Sequence, residues 1–144
     1  MKLVLNTKEL TDCFFEETRL LGIVAPMKDY QFCWHVNNWL GIDWRKSSDI
    51  EIQLNRKGRM YYFSVFEYAE QTNCLRHYLY NNQYDGEYLL PEFRHLDFLW
   101  LMKEDFVTDA TMADLVQSLR NIPGVQMVTE LTNEKIKNKE HLVF

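Results

Sequence analysis

Apolar and polar positions alternate along the chain with two periods. Residues 18–25 are a short, largely apolar run before Pro26, the pattern of an inner strand. Pro26 suits the first turn of a helix, where its missing N–H costs nothing. Over residues 27–40 the apolar groups Phe32, Cys33, Val36, Trp39 and Leu40 recur at helical spacing, and Gly41 fits the position just past the helix end. Residues 42–54 carry the period-two set Ile50, Ile52 and Leu54, which predicts a strand with one face on the core. A turn at residues 55–59, with Gly58 in a left-handed slot, leads into a strand over 60–68 rich in aromatic and branched residues. Residues 73–80 read as its hairpin partner, residues 69–72 as the loop between them, and residues 81–86 as a further turn.

Residues 94–103 predict another strand. A second helix follows over 109–121, with Met112, Leu115, Val116, Leu119 and Ile122 on one face. Thr108 is a credible N-cap, with Thr111 and Asp114 as an alternative start, and Pro123–Gly124 end the helix. A last strand covers 125–131 and a charged tail closes on Leu142, Val143 and Phe144. Both ends of the chain read strand–helix–strand, with aromatic hairpins between them. The expected fold is α+β: a mainly antiparallel sheet with two helices on one face, a ferredoxin-like sandwich with extra central strands. No linker, low-complexity stretch or internal repeat divides it, so residues 1–144 read as a single domain.

Bulk properties narrow the function classes. At 144 residues, 47% of them hydrophobic and 15% aromatic, the chain can bury a core without metal or disulfide help, and disorder is excluded. Sixteen basic and 21 acidic residues leave a net charge of −5, which disfavours nucleic acid and anionic lipid as partners. No apolar run reaches the ~18–20 residues that span a bilayer. The opening Met1–Asn6 is too short for a signal peptide, and Cys13, Cys33 and Cys74 are odd in number and have no CxxC spacing. A reduced, cytoplasmic protein is expected.

Residues Leu90-Pro91-Glu92-Phe93-Arg94-His95-Leu96-Asp97-Phe98 resemble the signature of the IPExxxVDY family, a bacterial family of unknown function. Leu90 and Leu96 stand at its aliphatic positions, and Phe98 stands where the family name has tyrosine. The stretches Lys28–Tyr30, Leu40–Gly41, Phe63–Tyr68, Ile122–Pro123 and Ile136–Phe144 are similar as well. The resemblance implies a grouping and a bacterial origin. It implies no catalytic residues and no cofactor.

Pro91, Glu92, Asp97 and Phe98 are therefore the candidate site residues, and two readings of them stand. In one, Glu92, His95 and Asp97 converge as a metal or acid–base site. In the other, Asp97 holds a backbone N–H or a cation at the start of a strand and Glu92 is a solvated turn residue. Glu92 and His95 lie three apart, which on a strand points them to opposite faces and disfavours a metal. No HExxH, GxSxG, Walker or GxGxxG pattern occurs, and Cys33 reads as a small core residue. The strand over 60–68 places Tyr62, Ser64, Phe66 and Tyr68 on one face. If helices cover one side of the sheet, the other is expected to expose an aromatic stripe. Without a basic stripe beside it, such a face suits protein contact better than RNA. The expected function is a non-catalytic interaction or scaffold domain acting through Tyr62, Phe66 and Tyr68, toward a protein partner or a second copy. The alternative is a small-ligand or enzymatic domain around Glu92 and Asp97.

Overall fold

A computed structural model describes residues 9–144, the side chain of Asn133 excepted. Met1–Asn6 thus lie outside the described residues. In chain order the elements are helix α1 (residues 9–14), β1 (Arg19–Val24), α2 (Asp29–Leu40), β2 (Arg45–Arg56), β3 (Arg59–Ala69), β4 (Arg76–Asn81), the two-residue strands β5 (Gln83–Tyr84) and β6 (Glu87–Tyr88), β7 (Phe98–Lys103), α3 (Asp109–Arg120) and β8 (Met127–Leu131). Short 3₁₀ turns occupy Pro91–Phe93, Asn133–Lys135 and Lys139–Leu142.

Six strands form one antiparallel sheet in the order β2-β3-β4-β7-β1-β8, and β5 pairs with β6 apart from it. The order β8-β1-β7-β4, with α2 after β1 and α3 before β8, is the ferredoxin-like arrangement. The hairpin β2–β3 extends it beyond β4. The expected class and architecture are therefore those observed.

Local chemistry sets the element ends. The Lys28 N–H at the start of α2 donates to the Gln31 side-chain carbonyl, and Gly41 ends the helix at φ 67°. Thr108 Oγ accepts the Thr111 N–H and caps α3. Lys57 and Gly58, both at positive φ, form the two-residue turn joining β2 to β3, whose twist matches the strands it connects. On edge strand β2 the register shifts between Lys46 and Glu51, where Ser47 Oγ accepts the N–H groups of Asp49 and Ile50. Such a bulge blunts an exposed edge.

The sheet is buried on both faces. On one side Leu21 and Ile23 of β1, Leu79 of β4 and Phe98, Trp100 and Met102 of β7 pack against Phe32, Cys33 and Val36 of α2 and Met112 and Leu119 of α3. Phe98 stacks on Phe32 with ring centroids 4.6 Å apart. On the other side Phe63, Val65, Tyr78, Tyr80, Leu99 and Leu101 lie beneath Phe14, the segment carrying Leu89, Leu90 and Leu96, and the tail residues Ile136 and Leu142. Sheet and helices alone would leave that second face wet. Here α1, the signature loop and the tail cover it.

This corrects two expectations. No uncovered aromatic sheet face exists among the described residues: Phe66 is 7% exposed in the helix-side core and Tyr68 packs against that core, leaving Tyr62, at 42%, as the exposed member of the three. Alternation told which residues share a face, not what lies over it. The strand expected over 94–103 begins only at Phe98, because Pro91 opens a 3₁₀ turn and residues 94–97 complete a loop.

Candidate functional site

The signature loop is built around a residue upstream of it. Asn82 is completely buried, and each of its polar groups is used. Its Oδ1 accepts the Leu90 N–H (2.9 Å), and its Nδ2 donates to the carbonyls of Phe93 (3.0 Å) and Leu96 (2.9 Å). Its backbone N–H donates to Asp97 and its carbonyl accepts from Leu89. A buried amide must be satisfied in this way, since each unmade bond costs about 1–3 kcal/mol. One side chain thus sets the path of the whole 89–97 loop.

Pro91 occupies the first position of the 3₁₀ turn, half-buried. Glu92, next to it, faces the tail. Its carboxylate accepts the backbone N–H groups of Lys137 (2.7 Å) and Asn138 (2.8 Å) and the Asn138 side-chain amide (2.9 Å). Burial pushes the Glu92 carboxyl up, but these hydrogen bonds outweigh it and hold the group below its ordinary value. Glu92 is therefore a clamp on the tail, not the solvated turn residue that one reading expected. Two further bonds act with it: His141 Nδ1 donates to the Leu89 carbonyl (2.8 Å), and the buried Tyr80 hydroxyl donates to the Leu142 carbonyl (2.7 Å).

Asp97 serves a different junction. Its Oδ2 accepts the Ala25 N–H (2.8 Å) and its own N–H donates to the Ile23 carbonyl (2.8 Å). These bonds pin the corner where β1 leaves the sheet toward α2. Burial pushes the Asp97 carboxyl above its ordinary value, offset only in part by the Ala25 N–H. Asp97 also lines a cleft of about 310 Å³ with Lys28, Asp29, Asn81, Tyr84 and Asp85. Phe98 beside it is core. The structure therefore does not bring Glu92, His95 and Asp97 together: Glu92 faces the tail, His95 is exposed, and Asp97 faces β1. Among the described residues no group of three or more His, Cys, Asp or Glu side chains could hold a metal ion. Burial pushes the Cys33 thiol up to about 12, so it stays protonated at neutral pH and offers no nucleophile.

A second polar cluster went unpredicted. His77 is buried on the helix-side face between Tyr68, Trp44 and Trp100. Trp100 Nε1 donates to His77 Nδ1 (2.9 Å), and His77 Nε2 lies 2.9 Å from Glu70 Oε1. An indole N–H can only donate, so Nδ1 is the acceptor and Nε2 carries the proton toward Glu70. The available signal was one polar residue between Leu75 and Leu79 on an apolar strand face, which demands partners.

Three large, exposed aromatics lie on α2. Tyr30, Trp34 and Trp39 are 59%, 61% and 55% exposed. Trp39 was expected in the buried stripe. It instead sits at the margin of the arc that Phe32, Cys33 and Val36 fill. Residues 30–42 contain no Asp, Glu, Lys or Arg, so the outward face of this helix bears aromatic and amide groups alone. The spacing of Tyr30 and Trp34, one turn apart and opposite Val36, was the signal in the sequence.

The chain matches no protein-family model, and no curated protein matches it. Among the described residues no helix is long and apolar enough to cross a membrane.

Proposed function

We propose that the protein is a non-catalytic interaction domain whose contact surface is the outward face of α2. One observation carries this: Tyr30 and Trp34, each more than half exposed, stand one turn apart on the outward side of a 12-residue helix with no formal charge after Asp29. Surface helices ordinarily present charged residues to water. Tyr and Trp left wet on a neutral face are the side chains that dominate binding energy at interfaces. The role is the one expected from the sequence; its location moves from the sheet, whose Phe66 and Tyr68 are covered, to the helix. Membership of the IPExxxVDY family, resting on the Leu90–Phe98 signature, a bacterial origin and a cytoplasmic location belong to the same proposal. So does the lack of a nucleic-acid partner, in keeping with the charge of −5.

A photoreactive amino acid placed at Trp34 tests it in the living host. A discrete cross-linked species is expected from position 34, identified by mass spectrometry and lost when Tyr30 is changed to Ser. Position 117 on α3, exposed and polar, should give none. Equal yields from both positions, or none from 34, would overturn the proposal.

A ligand-binding reading centred on Asp97 is supported by its place in the 310 Å³ cleft and its raised carboxyl. Glu92 lies outside that cleft and takes no part in it. Bound small molecules in native mass spectra of gently purified protein, absent from Asp97→Asn, would favour it over the interaction role.

A further inference from the structure

We infer that the chain self-associates through the free edge of β2: Glu51–Asn55 pair antiparallel with the same residues of a second copy about a two-fold axis at Gln53, joining two six-stranded sheets into one. This surface is separate from the α2 face. The residues flanking a two-residue turn form a hydrogen-bonded pair, so Arg56 bonds Arg59, and by alternation Leu54 and Ile52 also turn their N–H and C=O groups to β3. Glu51, Gln53 and Asn55 therefore turn theirs outward. Their side chains are exposed, and among the described residues no backbone group outside β3 bonds to residues 51–56. The opposite edge differs, for Arg120 of α3 donates to the Val128 carbonyl of β8 (3.2 Å). The stretch Glu51–Arg56 also lacks the proline and lysine that commonly guard an edge, and its regular register begins where the bulge ends.

Charge selects a copy as the occupant. Asp49 and Glu51 stand before Gln53, and Arg56 and Lys57 stand after it, so the edge is acidic at one end, basic at the other and neutral as a whole. Asp49, Glu51 and Lys57 are exposed and enter no ion pair among the described residues. A two-fold axis makes the contact isologous and reverses one strand against the other. Reversal about Gln53 sets Asp49 opposite Lys57, and Glu51 opposite Asn55 with Lys57 on its diagonal, at both ends of the contact. A strand of another protein would have to reproduce that pattern, whereas β2 of a second copy carries it already.

The same register suits the apolar side of the strand. Ile52 and the half-buried Leu54 of one copy fall beside Leu54 and Ile52 of the other, so the second core layer continues across the axis. At the axis the two Gln53 amides face each other and can exchange a hydrogen bond. One strand pair of this length is a small contact, below the size of a permanent dimer, so monomer and dimer should exchange at micromolar concentrations.

Sedimentation velocity on the full chain, from about 1 to about 300 µM, tests this range of affinity. The mass is expected to rise from 17.4 kDa toward twice that value. Because residue 53 faces itself across the axis, Gln53→Lys and Gln53→Glu should each raise the dissociation constant about fivefold, whichever sign is introduced. An equal mixture of the two variants should dimerise again, which only an isologous contact centred on that residue predicts. Gln53→Pro removes an outward N–H that β3 does not use and should abolish the dimer. Circular dichroism establishes that each variant is folded, and where proline disturbs the strand the charged pair carries the test. In hydrogen exchange the amides of Glu51, Gln53 and Asn55 should gain protection as the concentration rises, while those of Ile52 and Leu54 are protected throughout. A strict monomer overturns the inference, as does a dimer indifferent to the Gln53 variants or a mixture that fails to restore it. Slow exchange at 51, 53 and 55 already in the monomer means that another part of the same chain covers the edge, and overturns it as well. None of these measurements involves α2, so failure here leaves the α2 reading standing, and a failed cross-link at position 34 leaves this one.

Discussion

Trp100 donates its indole N–H to Nδ1 of His77, and this one bond decides where the imidazole proton sits. The ring is neutral, with its proton on Nε2 toward Glu70. Adding a second proton would set two donors face to face across 2.9 Å. Burial pushes the His77 pKa below its ordinary value, and the Glu70 carboxylate offsets that only in part.

A pH dependence with a definite sign follows. The unfolded chain takes up a proton at His77 near pH ~6.5, while the folded chain resists it. Stability from this group is therefore complete above that value and falls as the pH drops through it. Glu70, which burial pushes up but the His77 and Asn73 hydrogen bonds hold below its ordinary value, adds its own loss only in more acid solution. Urea midpoints should decline between pH 7.5 and 5.5. His77→Leu should lower the unfolding free energy at pH 7.5 by about 1–3 kcal/mol, because Trp100 and Glu70 lose a buried partner, and should flatten the decline. An unchanged slope in that variant would assign the acid sensitivity elsewhere.

Asn82→Ala strips the loop of its centre. The Leu90 N–H and the Phe93 and Leu96 carbonyls lose a buried partner together, a loss of about 2–4 kcal/mol. Hydrogen exchange over residues 89–97 should accelerate more than exchange in α3, which Asn82 does not touch.

Asp97 should respond differently to two replacements. Asn keeps an oxygen for the Ala25 N–H and removes a charge that burial disfavours, so Asp97→Asn should change stability by less than about 1 kcal/mol at pH 7. Ala removes the acceptor and should cost about 1–3 kcal/mol. Because the folded pKa is raised, stability from Asp97 increases as the pH falls through that raised value toward ~3.9. A large loss in Asp97→Asn would show that the charge itself matters.

Gly22 lies in β1 beneath Leu96. A Cβ there would come within 2.5 Å of Leu96 Cδ1, and Leu96 is buried, with little room to swing away. Gly22→Ala should cost about 1–3 kcal/mol through overpacking. Leu96→Val in the same chain should return part of that loss in thermal melts.

What the sequence disclosed was local. The Gly41 stop, the Thr108 cap and the turn at Lys57–Gly58 are written within a few residues, and each stands where its chemistry predicts. The strand–helix–strand order at both ends was legible for the same reason. The cover on the second sheet face was not, because it is made by Phe14, Leu90 and Leu142, which are distant in sequence and carry no shared period. The site failed similarly. Glu92 and Asp97 were singled out from the signature, but their partners, Asn138 and Ala25, lie 46 and 72 residues away. Asn82, which organises both, sits in a stretch that reads only as a turn.

The strand order also has a kinetic side. The meander β2–β3–β4 pairs neighbours in sequence and can zip from its own turns. β1 is seated between β7 and β8, with Leu21 opposite Trp100 on one side and Glu130 on the other. Each of those pairings closes a loop of most of the chain, and such closures come slowly. In pulse-labelled refolding, the amides of β3 and β4 should gain protection first. Those of β1 should follow late, so that the clasp at Asp97 and the mounting of α2 are among the last parts of the molecule to take their final shape.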